Sequence, residues 1–195
     1  MRSMRSHFFA YIARMRYVIR WNLMRNSYRE NIAEHSLQTA MVAHALAILH
    51  NKAGGHVDEK NVLALAVYHE CGEVITGDLP TPVKYYNPAI RDAYKSVEHI
   101  AEERMLSMLP DDMKDDYAPY ITGKGRDTEE WKLVKAADRI CAYLKCLEEL
   151  RAGNEEFSRA ADSIKRLIDE IDSDAVRRFM RDFVPSFSLT LDELN

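Results

Sequence analysis

Residues that interrupt regular structure are scarce in this sequence. Seven glycines and six prolines make up about 7% of its 195 residues, against roughly 12% in an average chain. A sandwich or barrel needs frequent tight turns, so the scarcity excludes those folds in favour of helices. Cysteine is scarcer still. Cys71, Cys141 and Cys146 are odd in number and have no CxxC spacing, so no disulfide framework is expected, and a reducing cytoplasm is. Each reads as a small buried residue. Long apolar runs are also missing. The longest stretch free of Asp, Glu, Lys and Arg lies between Glu34 and Lys52 and contains Gln38, His44 and His50. It is too short to span a bilayer. Arg14, Arg16 and Arg20 divide the apolar N-terminal segment, so no secretory leader is expected. The first 33 residues do hold seven arginines and one acid, Glu30. Their large aromatics and few serines argue against a mitochondrial presequence. Basic charge is not in excess overall: 27 Lys and Arg face 31 Asp and Glu, for a net charge of −4. That balance excludes a general binder of nucleic-acid polymers.

The rest of the composition is that of a folded domain, with 47% hydrophobic and 30% charged residues. A chain of this mass buries roughly 70% of its unfolded surface, enough core to stand without disulfides. We expect one all-α domain over residues 1–195, a bundle of about seven helices. Phe8, Ile12, Met15 and Ile19 have helical spacing within 5–20. Leu37, Ala40, Met41, Ala45 and Ile48 mark a buried helix over 35–53 that Gly54-Gly55 stops. Asp58 can cap the next helix, with Val62, Leu65, Ala66 and His69 on its inner face. Three prolines make 76–88 an ordered loop. Helices follow at 90–109 and 111–121, then from a Thr128 cap to about Leu150, and one or two more over 155–183.

Function is sought among polar groups inside apolar helices, because burying them unpaired is costly. His35 opens one apolar helix, His69 and Glu70 end another, and Asp138 lies inside a third. Alone, each is more often structural. Together, two imidazoles and two carboxylates on three helices can converge on one divalent cation. Such a set suits Mn, Co, Fe or Zn better than Mg, and its bound water is a nucleophile at neutral pH. Glu73 lies one turn beyond His69, and Asp78, Thr81 and Lys84 follow on the proline-braced loop, where substrate contacts are expected. Arg20-Trp21 adds a guanidinium that matches a phosphate beside an indole wall for a base or sugar. His7, His44, His50, His56 and His99 show no ligand pattern. His69-Glu70 lacks the second histidine that a zinc peptidase would need.

The order His35 … His69-Glu70 … Asp138 is similar to the H…HD…D pattern of the HD-domain metal-dependent phosphohydrolases. The strings IRWNLMRN, ENIAEHSLQTAMVAHAL, GDLPTPVKYYN, VKAADRICAYLKCLEEL and FVPSFSLTLDE closely resemble the bacterial 5′-deoxynucleotidases of that superfamily, from about His7 to Glu193. The resemblance implies an all-α homodimer that hydrolyses deoxyribonucleoside 5′-monophosphates with one divalent cation, typically Co, Mn or Cu, with Zn, Fe or Mg as alternatives. It implies metal ligation by His35, His69, Glu70 and Asp138, and a catalytic carboxylate at Glu73. Arg20 and Asp78 would act in catalysis. Trp21 would disfavour a 2′-hydroxyl, and Asp78, Leu79, Pro80, Thr81 and Lys84 would line the nucleotide site, together with the ligands His35, Glu70 and Asp138. One position departs from the pattern: the family's Asp is Glu70 here, one methylene and about 1.5 Å longer. The competing readings are an HD-type hydrolase of another phosphoester, such as a deoxynucleoside triphosphate, and a catalytically impaired nucleotide-binding protein.

Overall fold

The computed structural model describes residues 5–84, 86–123 and 127–194, and of Thr81 its backbone alone. In chain order it contains α1 (Phe8–Ile12), a 3-10 turn over Ala13–Tyr17, α2 (Ile32–Lys52), α3 (Glu59–Tyr68), α4 (Glu73–Thr76) and α5 (Thr81–Lys84). Then come α6 (Pro88–Ser107), α7 (Asp111–Ile121), α8 (Glu129–Arg151), α9 (Ser158–Asp169) and α10 (Asp174–Asp182), with 3-10 turns before α9 and after α10. No strand occurs among the described residues; one antiparallel bridge joins Ile19 to Asn31. None of their helices is long and apolar enough to cross a membrane.

The helix boundaries follow from capping chemistry. Asn31 Oδ1 accepts from the amides of Ala33 and Glu34 at 3.0 and 3.1 Å, which starts α2 at Ile32, three residues before the position expected from hydrophobic periodicity. Asp58 accepts from Lys60 N at 2.9 Å ahead of α3. Thr128 caps α8 through Trp131 N at 3.2 Å, and Ser173 caps α10 through Val176 N. The Ser173 cap divides the segment 155–183 into two helices. The N-terminal segment is less regular than its spacing implied. Its α-helix is α1 alone, followed by a 3-10 turn and the extended Val18. The proline-braced stretch contains one helical turn, α5.

Two compact units divide the chain. The first runs to Leu23, takes in Arg29–Ser36 and resumes at Val67 for the segment before Asp127. Its core gathers Phe8, Cys71, Met105, Leu109 and Ile121, with Tyr68 and Tyr117 packed against it. Phe8 meets the Tyr117 ring edge-on at 5.5 Å. Burial of one such ring contributes about 1.5–3 kcal/mol. The second unit comprises Met24–Tyr28, Leu37–Ala66 and the chain from Asp127 on. Helix α8 is its spine, burying Leu133, Val134, Ala137, Ile140, Cys141 and Leu144 and packing on α9. All three cysteines are reduced and buried.

Candidate active site

The first unit gathers most of the residues singled out in the sequence. His35 stands one turn into α2, with its side chain wholly buried. His69 and Glu70 directly follow the last residue of α3, and the His69 side chain is 1% exposed. The two imidazole rings lie 5.5 Å apart. One donor atom each from His35, His69 and Glu70 lies within 4.8 Å of the others. Two buried imidazoles and a carboxylate at this spacing fit a borderline divalent cation such as Mn, Co or Zn. Asp138 lies in the second unit, on α8, where its Oδ2 accepts from Lys135 Nζ at 2.6 Å.

The two oxygens of Glu70 serve different neighbours. Oε1 is 3.4 Å from His69 Nε2, and Oε2 accepts from Arg20 Nη1 at 3.0 Å. Arg20 Nε donates to Glu30 Oε2 at 3.1 Å, and the Trp21 indole N–H donates to that same oxygen, also at 3.1 Å. The backbone fixes this meeting. Arg20 N donates to Glu30 O at 3.0 Å and Ile32 N to Val18 O at 3.0 Å, so Glu30 stands opposite Arg20 across the bridge. Trp21 has φ of +57°, a left-handed conformation that costs a bulky residue on the order of 1–3 kcal/mol and is retained where its surroundings fix it. Burial on its own raises the Glu30 carboxyl, but His35, Arg20 and Trp21 together hold it below the usual carboxylate range.

Glu73 begins α4, and its backbone N–H donates to Glu70 O at 3.0 Å. Burial, then the charges of Glu70 and Asp78, push its carboxyl up to about 10. Its Oε2 is buried without a hydrogen-bond partner among the described residues. A buried acceptor in that condition is uncommon and calls for a physical account. Asp78 is also raised by burial, against the lowering effect of Arg20. Its carbonyl accepts from Asn22 Nδ2 at 3.3 Å. The turn into Asp78 needs Gly77, whose φ of +74° and ψ of 163° belong to a region essentially closed to side-chain-bearing residues. Tyr94 Oη donates to Gly77 O at 3.1 Å and so ties the turn to α6.

Leu79 and Pro80 are half-buried on this loop, and the side chain of Thr81 lies outside the described residues. Lys84 is engaged within the unit: its Nζ is 2.6 Å from Glu98 Oε1 and 4.9 Å from the Tyr94 ring centroid. Sequence reasoning passed over Glu30, Asn22, Tyr94 and Glu98. For Glu30 a signal existed, since it is the lone acid among seven arginines in the first 33 residues.

Residues 7–187 match the family described as YfbR-like 5′-deoxynucleotidases. A 5′-deoxynucleotidase of Vibrio vulnificus is 51% identical over 191 residues, covering 97% of this chain and 98% of that protein. Among solved structures, an HD-domain phosphohydrolase of Listeria innocua superposes with a TM-score of 0.83 at 21% identity, over 93% of this chain and 88% of that one. The cyanophage S-2L HD phosphohydrolase, bound to dA and one catalytic Zn2+, superposes with a TM-score of 0.61 at 18% identity, over 93% of this chain and 96% of that one. The fold is thus that of the HD-domain phosphohydrolases, and the chain belongs to the YfbR-like 5′-deoxynucleotidase family.

Proposed function

We propose that this chain is a metal-dependent 5′-deoxynucleotidase, releasing phosphate from deoxyribonucleoside 5′-monophosphates. The observation that carries the reading is the arrangement around Glu70. Within one unit, two buried imidazoles, a phosphate-matching guanidinium at 3.0 Å and the buried carboxylate of Glu73 all surround that one side chain. His35, His69 and Glu70, with Asp138 as the fourth ligand, hold one divalent cation; Co, Mn or Cu is the first expectation. When bound, that cation supplies Lewis acidity toward water and the phosphoryl oxygens. Arg20 orients the phosphate through its planar fork. Glu73 takes a proton from the attacking water as its oxygen bonds to phosphorus. The P–O5′ bond breaks, and the 5′ oxygen leaves as a hydroxyl with that proton.

Trp21 walls the sugar and disfavours a 2′-hydroxyl. Asp78, Leu79, Pro80, Thr81 and Lys84 form the nucleotide side of the site. The whole chain works as a single cytoplasmic domain and pairs as a homodimer, for which α2 supplies Leu37 and Met41, 59% and 60% exposed on successive turns. The decisive experiment measures phosphate release from deoxy- and ribonucleoside mono- and triphosphates by chelator-treated protein with several divalent metals. The proposal requires metal-dependent release from the deoxy monophosphates ahead of their ribo counterparts. Release from none of them sinks it, and a preference for triphosphates moves the substrate class.

A further inference from the structure

Glu30 has no place in the metal set or in the acid–base step, yet it is only 7% exposed. We infer that Glu30 is the positioning residue for sugar selectivity and phosphate orientation, because a single oxygen of its carboxylate holds both Arg20 and Trp21. The inference rests on the proposed deoxynucleotidase reading and adds to it the device that keeps the two recognition groups in register.

Neighbouring side chains on extended backbone point to opposite faces. Arg20 and Trp21 do not. The left-handed φ of Trp21 turns the indole back, so its N–H and the Arg20 Nε reach the same Glu30 Oε2, each at 3.1 Å. The other oxygen, Oε1, stands 3.8 Å from His35 Nδ1. One carboxylate therefore links the sugar wall, the phosphate fork and a metal-ligating imidazole. Glu30 takes the Nε edge of the guanidinium and Glu70 takes Nη1 at 3.0 Å, so the two carboxylates together fix the plane of the phosphate fork. The bridge between Ile19 and Asn31 places Glu30 where a charge of this sign is needed, and it is the sole acid of its arginine-rich segment.

The test uses Glu30→Gln and Glu30→Ala in the full chain, with kcat/KM on dAMP and AMP. A second readout is Trp21 emission and acrylamide quenching in a Trp131→Phe background without nucleotide. Glu30→Gln keeps an acceptor for the indole but loses the negative charge that faces Arg20. Its kcat/KM should fall about 10-fold or more on both sugars while their ratio stays within about 3-fold of the parent's. Glu30→Ala frees the indole as well. The deoxy-to-ribo ratio, about 10² for exclusion by an apolar wall, should collapse toward unity, with Trp21 more accessible to acrylamide. A merely structural Glu30 would lower both sugars equally in Glu30→Ala and leave the ratio and Trp21 quenching unchanged, and that result overturns the inference. Should Glu30→Ala fail to fold, Glu30→Gln decides: parental kcat/KM on both nucleotides refutes the role. Should the parent release no phosphate at all, the functional proposal falls. Trp21 quenching then judges Glu30 by itself, an unchanged value refuting it and a raised one supporting it.

Discussion

Removing Glu149 should unfold the second unit far more readily than an i,i+4 salt bridge on a helix surface would suggest. Its side chain is wholly buried, and that of Lys145 is 2% exposed. Four donors converge on it: Lys145 Nζ at 2.5 Å and Tyr28 N at 3.2 Å on Oε1, and Ser27 N and Asn154 Nδ2, both at 2.8 Å, on Oε2. Ser27 and Tyr28 are exposed residues, so water can satisfy their amides once Glu149 is gone. Lys145 cannot be rescued that way. It keeps the Tyr28 carbonyl and the faces of Tyr28 and Phe157, none of which neutralises its charge. Breaking a buried pair from one side costs about 3–5 kcal/mol, so Glu149→Ala should lower Tm by roughly 6–20 °C for a chain of this size. Burial opposes ionisation of Glu149, but Lys145, Asn154, Ser27 and Tyr28 prevail and bring it from 4.5 to about 2. Because the folded-state value is depressed, that stabilisation is present above pH 4.5 and is lost as pH falls toward 2. Guanidinium denaturation of the parent and Glu149→Gln from pH 7 to pH 2.5 should show a gap that closes over this window. Replacing both partners, Lys145→Met with Glu149→Leu, should recover much of the loss. A Glu149→Ala cost under about 1 kcal/mol at pH 7, or a gap that does not change with pH, would refute the reasoning.

Three further outcomes bear on the site. His69→Ala should strip most of the bound metal, read by elemental analysis of the purified protein, and activity should fall in step; full metal content would mean that the ligand set is misplaced. Glu73→Gln should keep the metal and the fold yet lose about 10²–10⁴-fold in kcat, and equal loss of metal would make Glu73 a ligand instead. Arg20→Ala should depress turnover of all monophosphates alike, whereas Trp21→Ala should narrow the gap between dAMP and AMP. Steady-state kinetics on both nucleotides distinguish these from the reverse assignment.

What the sequence made legible was local chemistry. The Asp58 and Thr128 caps, the Gly54 stop and the buried cysteines each follow from a residue and its near neighbours, and the structure bears them out. The misplaced boundaries have equally local causes. Hydrophobic periodicity starts α2 too late because the reciprocal cap, in which Asn31 N also approaches Glu34 Oε2 at 3.5 Å, acts before the first buried side chain. It overstates the N-terminal helix because apolar spacing at Phe8, Ile12 and Met15 is equally compatible with a 3-10 turn that then opens into Val18.

The candidate ligands were legible for a different reason. A histidine or acid inside an apolar helix contradicts its surroundings, and contradiction is visible without knowing the fold. Glu149 carries no such mark, and that of Glu30 is one of composition alone, a lone acid among seven arginines. Lys145 and Glu149 have the spacing of a solvated helix pair, and what covers them includes the loop at Ser27 and Tyr28, about 120 positions away in the chain. Glu30 is ten residues from Arg20, a spacing with no helical or strand period, and it meets Arg20 because the bridge at Ile19 and Asn31 folds the segment back. Side chains that serve as ligands and acids announce themselves by chemical type; those that hold them in place are ordinary acids whose partners are set by the path of the chain. That difference separates what was read for His35, His69 and Glu73 from what was missed at Glu30.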